Sequence, residues 1–382
     1  MRLTIALVVV AVIVAVVIVV VIMMKSNVQR QAALSAASKQ SARSSDSQSI
    51  SKSPLVHGFP RSNPVRNALA DLNLQGLSGP PSKYAIALPP ALEEYRSKIF
   101  KLHIEDIRVS EDLKTDSNYP KVIKALQTYG RAPTVEELRF LIKYKHFLDM
   151  PGVYSMCGPR EIDQLYLVIL NVIANKVPGD FIETGVWKGG MGLYAKAIFN
   201  HYSSSSTSST NNRIVDHLPR RVLLFDAFDQ FPDPEPVNDP STGQWSINEK
   251  DSGIHQITRM MYDQPATAVG VRDAFQTFGL LDDNVSIVKG LFSKTIPAAF
   301  NSGLISSSDS IAVLRIDNDY FDSVYLVLNQ LYHRISPGGY VILDDFNNPV
   351  IGCKEAVLRF RQENNITIPI IDTYGGSVYW QV

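Results

Sequence analysis

Two short apolar runs, IAVLRID (311–317) and YVILDDF (340–346), constrain this chain most, because each ends abruptly in carboxylates. The first delivers Asp317 with Asp319 just beyond it, and the second delivers Asp344 and Asp345. Val/Ile/Leu runs bounded by turn residues read as buried parallel strands, and open α/β sheets hold their ligand sites at the carboxyl ends of such strands. Four carboxylates then share one crevice. Like charges a few ångströms apart raise one another's pKa and cost free energy unless a cation neutralises them, so the pattern asks for a metal. Oxygen-only donors suit Mg²⁺, with Ca²⁺ or Mn²⁺ as the alternatives, and no Cys/His cluster points to zinc. The competing reading makes these aspartates helix caps or solvated turns.

Charge excludes one class of partner at once: 37 basic residues balance 37 acidic ones among 382, so there is no nucleic-acid footprint. Ile5 to Met24 form an uncharged apolar run, long enough as a helix to cross a hydrocarbon layer of about 30 Å. It reads as a single membrane-spanning anchor over 5–24. A cleaved signal peptide has a shorter apolar core followed by small residues, whereas Met23, Met24 and Lys25 stand here. The expected location is therefore a membrane of the endomembrane system, with the side of the domain left open. Lys25, Arg30, Lys39 and Arg43 outweigh Arg2 and favour the cytosolic side, while the sequons Asn284-Val-Ser286 and Asn365-Ile-Thr367 would matter only in a lumen. Cys157 and Cys353 are the only cysteines; they imply no disulfide framework and read as small buried hydrophobes.

Residues 25–90 are rich in Ser, Ala, Gln and Pro without a sustained period, which predicts a disordered tether. A helical segment over 91–153 follows. Within it Thr134 and Glu137 form a capping-box signature, and Leu138, Leu141, Lys145 and Leu148 share a face, which predicts a helix. A second helix is predicted over 160–176 from Ile162, Leu165, Ile169, Val172 and Ile173, covering the crevice or forming an oligomer contact. Beyond Pro178, strands (FIET, RVLLFDAF, SIVKG, IAVLRID, YVILDDF) alternate with helices, including one over 323–335 and one after Gly352. Such alternation predicts an α/β, Rossmann-like, doubly wound sheet, mostly parallel and seven-stranded. TIPIIDTY and SVYWQV flank Gly375-Gly376 and read as a hairpin, so the last strand is expected to be antiparallel. The Ser-rich stretch 203–210 reads as a surface insertion.

The FIET strand leads through Glu183 and Gly185 into Gly189, Gly190 and Gly192 ahead of a helix. Glycines at that junction let backbone approach a ligand at the helix amino terminus. A dinucleotide fold would space them as G-x-G-x-x-G; Gly185 and Gly189 with Glu183 before them suit a cationic, phosphate-free cofactor such as S-adenosylmethionine. Asp226, closing the next strand, can accept hydrogen bonds from ribose hydroxyls. Tyr320 and Phe321 are expected to pack beneath the site, and Trp187 to wall the cofactor pocket. The acidic, proline-rich loop 231–251, with Trp245 and nearby His255, either closes over an acceptor or is an ordered surface loop.

Several blocks together are similar to the macrocin O-methyltransferase family: VPGDFIETGVWKGG (177–190), VRDAFQTFGLLDDNVSIVKGLFSKTIP (271–297), LRIDNDYFDSVY (314–325), LYHRISPGGYVILDDF (331–346) and GCKEAVLRFR (352–361). The resemblance covers 154–382, the expected methyltransferase domain. It implies an enzyme that uses S-adenosylmethionine and Mg²⁺ or another divalent cation to methylate a hydroxyl of a sugar, glycoside or other small-molecule diol. It also implies Asp317, Asp344 and Asp345 as metal ligands, Asp319 as general base, and Glu183, Gly185, Gly189 and Asp226 around the cofactor. Asn318 stands where the family has glycine, Asp322-Ser323-Val324 where it has Glu-Ser-Thr, and Asp226-Ala-Phe-Asp229-Gln230 where it has Asp-Ser-Phe-Glu-Gly. These departures bear on acceptor choice. Two rivals remain: a membrane-tethered non-catalytic scaffold, against which the intact aspartates argue, and a nicotinamide-dependent sugar oxidoreductase, which lacks its glycine fingerprint. The expected partners are a small-molecule acceptor and the membrane, with room for a homo-oligomer.

Overall fold

A computed structural model describes residues 84, 86–101, 103, 106–126, 134–203, 216, 218–228, 266–347, 352–373 and 376–382. All of them belong to the second of two compact units, 62–382. The anchor predicted over 5–24, nearly all of the tether, the loop 231–251 with Trp245 and His255, and the serine-rich insertion beyond Ser203 lie outside the described residues. Among the described residues, no helix is long and apolar enough to cross a membrane.

The described strands form one seven-stranded sheet: β1 (Asp180–Thr184), β2 (Val222–Asp226), β3 (Val285–Lys289), β4 (Ile311–Ile316), β5 (Ile335–Leu343), β6 (Ile371–Asp372) and β7 (Val378–Gln381), in the order β3-β2-β1-β4-β5-β7-β6. Strands β1 to β5 run parallel, β7 is antiparallel to β5, and β6 pairs antiparallel with β7, as the hairpin reading required. The order reverses between β1 and β4. That switch point opens a crevice beyond the carboxyl ends of both strands, where ligands of such folds bind.

Alternation along the strands separates two cores. Phe181, Val222, Leu224 and Val313 face one, packed by α1 (Pro90–Ile99), α4 (Pro159–Ala174), α5 (Gly190–Ser203) and α6 (Ala268–Thr277). Ile182, Leu223, Phe225 and Leu314 face the other, packed by α7 (Phe292–Asn301), α8 (Phe321–Leu331) and α9 (Cys353–Glu363). Helices on both faces make the sheet doubly wound. Among the described residues, α2 (Tyr119–Leu126) and α3 (Val135–Asp149) build a smaller apolar cluster of Leu113, Val122, Leu126, Ile142 and Leu148, against which Trp187 packs.

Local chemistry sets the boundaries. Helix α3 starts on the expected capping box: the Glu137 N–H donates to Thr134 Oγ1 at 3.1 Å, and the Thr134 N–H donates to Glu137 Oε2 at 2.8 Å. Lys145, on its apolar face, is buried and reaches Asp149 at 2.7 Å. Helix α4 is buried on nearly every side: Ile162 and Leu165 to Val172 lie almost inaccessible in the first core, and the polar Asp163, Gln164 and Asn171 are buried with them. The helix predicted to reach 335 stops at Leu331, because Ile335 already pairs with Ile311 as the first residue of β5.

Candidate active site

The turn after β1 is pressed against the end of β4. Gly185 has φ +79°, and a Cβ placed there would lie 1.8 Å from the Asp317 carbonyl oxygen. The Asp317 N–H in turn donates to the Thr184 carbonyl at 2.8 Å. Only glycine tolerates both the left-handed backbone and the contact. Gly189, at φ +88°, lies against Val271, whose Cγ1 would be 2.9 Å from an added Cβ. Between them, Asp226 braces the turn: its Oδ2 accepts the N–H groups of Val186 (2.6 Å) and Trp187 (3.0 Å), and its Oδ1 accepts that of Phe228 (2.7 Å). The residue expected to meet a ribose is thus first a support of the glycine turn, with lone pairs remaining for hydroxyl donors.

Glu183 and Arg315 are direct partners in the β1–β4 register, side by side on the first-core face. Arg315 is 1% exposed and carries the densest polar network of the site. Its Nη1 donates to Glu183 Oε1 at 2.8 Å and to Asp317 Oδ2 at 3.0 Å. Its Nη2 donates to Cys157 Sγ at 3.0 Å and to Asp344 Oδ2. Reading the sequence for acidic residues missed this cation. The signal was present: a charged side chain inside an otherwise apolar strand has to be paired when buried.

Two of the four aspartates, Asp317 and Asp344, come together at adjacent strand ends. Asp317 follows β4 and Asp344 follows β5; their carboxylate oxygens and Cys157 Sγ lie within 4.8 Å of one another, and Arg315 touches all three. Burial, and then Asp344, holds the Asp317 carboxyl well above the usual carboxylate range, against the pull of Arg315. Burial does the same to Asp345, helped next by Asp319, to which it is hydrogen-bonded. Asp319 (φ +57°) and Asp345 (φ +54°) both sit in the left-handed region, which costs a non-glycine residue on the order of 1–3 kcal/mol. Strain therefore collects just beyond the ends of β4 and β5. Asp345 pairs with Asp319 and stands apart from the Cys157, Asp317 and Asp344 group.

Two buried carboxyls flank the network. Glu183 is pushed up to about 7 by burial, and its Oε2 has no hydrogen-bond partner. Glu161, near the start of α4, is also pushed up to about 7, by burial first and then by Asp344; its Oε1 is likewise unpartnered. Both cysteine thiols are raised well above their usual value by burial, which argues against either as a nucleophile. Cys157 lies closer to the chemistry than its reading as a small hydrophobe suggested. Tyr320 and Phe321 are buried, Phe321 within the second core, and Trp187 stands between the glycine turn and the α2–α3 cluster, with Lys188 Nζ 4.6 Å from its ring centre.

These groups fit the ligands their chemistry suggests. One guanidinium serves Glu183, Asp317 and Asp344, while Asp319 and Asp345 add further carboxyls. The surplus of hard oxygen donors matches a divalent cation. The buried, unpartnered Glu183 Oε2 offers an acceptor that matches a cationic cofactor.

A family model described as Macrocin-O-methyltransferase (TylF) matches residues 142–382. The chain belongs to the macrocin O-methyltransferase family. It is thus an S-adenosylmethionine-dependent O-methyltransferase, and the family match begins within α3, ahead of the resemblance read from 154. Mycinamicin III 3''-O-methyltransferase of Micromonospora griseorubida is 30% identical over 234 residues, covering 61% of this chain and 80% of the relative. The 8-demethyl-8-(2,3-dimethoxy-alpha-L-rhamnosyl)-tetracenomycin-C 4'-O-methyltransferase of Streptomyces olivaceus is 30% identical over 237 residues, covering 61% and 77%. Among solved structures, the O-methyltransferase NovP is 27% identical and covers 69% of this chain and 97% of its own, with a TM-score of 0.48.

Proposed function

We propose that this family member is a divalent-metal-dependent methyltransferase acting on a hydroxyl of a sugar, a glycoside or another small-molecule diol. The observation that carries the metal is the meeting of the Asp317 and Asp344 carboxylates at adjacent strand ends, beside the glycine turn and with the Asp319–Asp345 pair next to them. The acceptor class is supported by the relatives, whose names place their methyl groups on mycinamicin III and on a rhamnosyl tetracenomycin.

When bound, S-adenosylmethionine would supply the methyl group and leave as S-adenosylhomocysteine, and a divalent ion, for which Asp317, Asp344 and Asp345 would be the ligands, would supply Lewis acidity toward the acceptor hydroxyl. Gly185 and Gly189 let the turn after β1 pack closely on Asp317 and Val271, which sets the shape of the backbone the donor would meet. Glu183 Oε2 offers an acceptor to a cationic group, and Asp226 offers its remaining lone pairs to a ribose. Asp319, two residues past Asp317, takes the proton that the hydroxyl loses. Alignment of this kind contributes about 7–11 kcal/mol to lowering a barrier.

Chelation is expected to abolish methyl transfer from labelled donor to a panel of glycosides, and added Mg²⁺ or Mn²⁺ to restore it. Asp344→Asn should resist that restoration. Undiminished transfer after chelation and in the variant would remove the cation from the reaction. We place the enzyme on a membrane through 5–24, so deleting 1–24 should move it from the membrane fraction to the supernatant; an unchanged distribution would discard the anchor.

A further inference from the structure

We infer that Arg315 is a positioning residue for the metal-binding carboxylates, holding Asp317 and Asp344 in the arrangement that a divalent cation needs. The inference rests on the metal reading above and adds to it a residue of like charge to the metal. Four segments distant in sequence meet on this one guanidinium: the loop before α4 through Cys157, β1 through Glu183, and the ends of β4 and β5 through Asp317 and Asp344. Glu183 and Arg315 are fixed by the strand register and are almost inaccessible, so the guanidinium has a rigid base inside the sheet. From there it takes one oxygen of each strand-end aspartate. The other oxygen of Asp344 also accepts the Asp345 N–H at 3.1 Å, which ties the two consecutive acids together.

The fork geometry separates this role from a simple charge effect. A lysine keeps the charge but has no planar fork that can serve several acceptors at fixed angles. If Arg315 acted only as a charge, it would repel a divalent ion. Removing it would then tighten metal binding, and Arg315→Lys would change nothing. If it positions the ligands, both Arg315→Lys and Arg315→Gln should weaken binding, by about 10–100-fold, the usual effect of losing a group that orients metal ligands.

The test is a titration of the full-length protein in detergent with Mn²⁺, following the free ion by electron paramagnetic resonance, so that the readout is independent of turnover. Thermal unfolding of each variant controls for folding. Weaker Mn²⁺ binding in a cooperatively folded Arg315→Lys protein, with kcat largely recovered at saturating metal, supports positioning; a general structural defect would not be repaired by more metal. Equal binding in Arg315→Lys, or tighter binding in Arg315→Gln, overturns it. Should Arg315→Gln not fold, the lysine variant alone decides. Failure of the wild-type protein to bind Mn²⁺ would overturn the metal reading itself, an outcome distinct from equal binding in all three proteins.

Discussion

Asp319→Asn is expected to lower kcat by about 10²–10⁴-fold at saturating metal and donor, the usual worth of a positioned general base. Asparagine is nearly isosteric, so the packing around β4 should survive, and the acceptor KM should change far less than kcat. The substitution leaves every Arg315 hydrogen bond in place, since those run to Glu183, Asp317, Asp344 and Cys157. It removes the carboxyl that Asp345 faces, and with it one of the two largest causes of the upward shift at Asp345. Rates measured with a labelled donor from pH 6 to 9 test this directly. A kcat within about twofold of wild type at every pH would take Asp319 out of the mechanism.

Gly185→Ala should be the most damaging alanine substitution among the described glycines. The added Cβ would meet the Asp317 carbonyl oxygen at 1.8 Å and its carbon at 2.7 Å, both main-chain atoms that cannot rotate away. Relief requires β1 and β4 to separate at their carboxyl ends, which pulls Glu183 from Arg315 and moves Asp317. The left-handed backbone at φ +79° adds about 1–2 kcal/mol for any residue with a Cβ. We expect a loss above about 4 kcal/mol, within the range that marks a broken structural mechanism. Gly279→Ala is the control: it shares the left-handed backbone at φ +65° but has nothing within 4 Å, so only the conformational cost of about 1–2 kcal/mol applies. Denaturant unfolding of both variants decides. Equal midpoints would show that the contact at Gly185 relaxes at no cost.

Much of the architecture could be read along the chain because its signals are local. The continuous apolar runs of β4 and β5, bounded by turn residues, marked strands buried on both faces, and Thr134 with Glu137 announced the start of α3. The rim of acids was also readable, since parallel strands all end on the same side and Asp317 and Asp344 each close one. What escaped was contact between side chains far apart in sequence. Arg315 was in view inside IAVLRID, but its partnership with Glu183 depends on the β1–β4 register, which no spacing encodes. Cys157 and Glu161 reach Asp344 only because the chain folds back ahead of α4. Asp226 was read as a group for a ligand, and its grip on the Val186 and Trp187 amides appears only in three dimensions.

The order of residues therefore determined the elements and the placing of acids at strand ends, since apolar runs, turn chemistry and strand direction are properties of short segments. Tertiary structure decided how those acids are kept together. Their repulsion is met first by a guanidinium delivered across the sheet, and whether a given cation lies within 3 Å of a given carboxylate is set by register and packing.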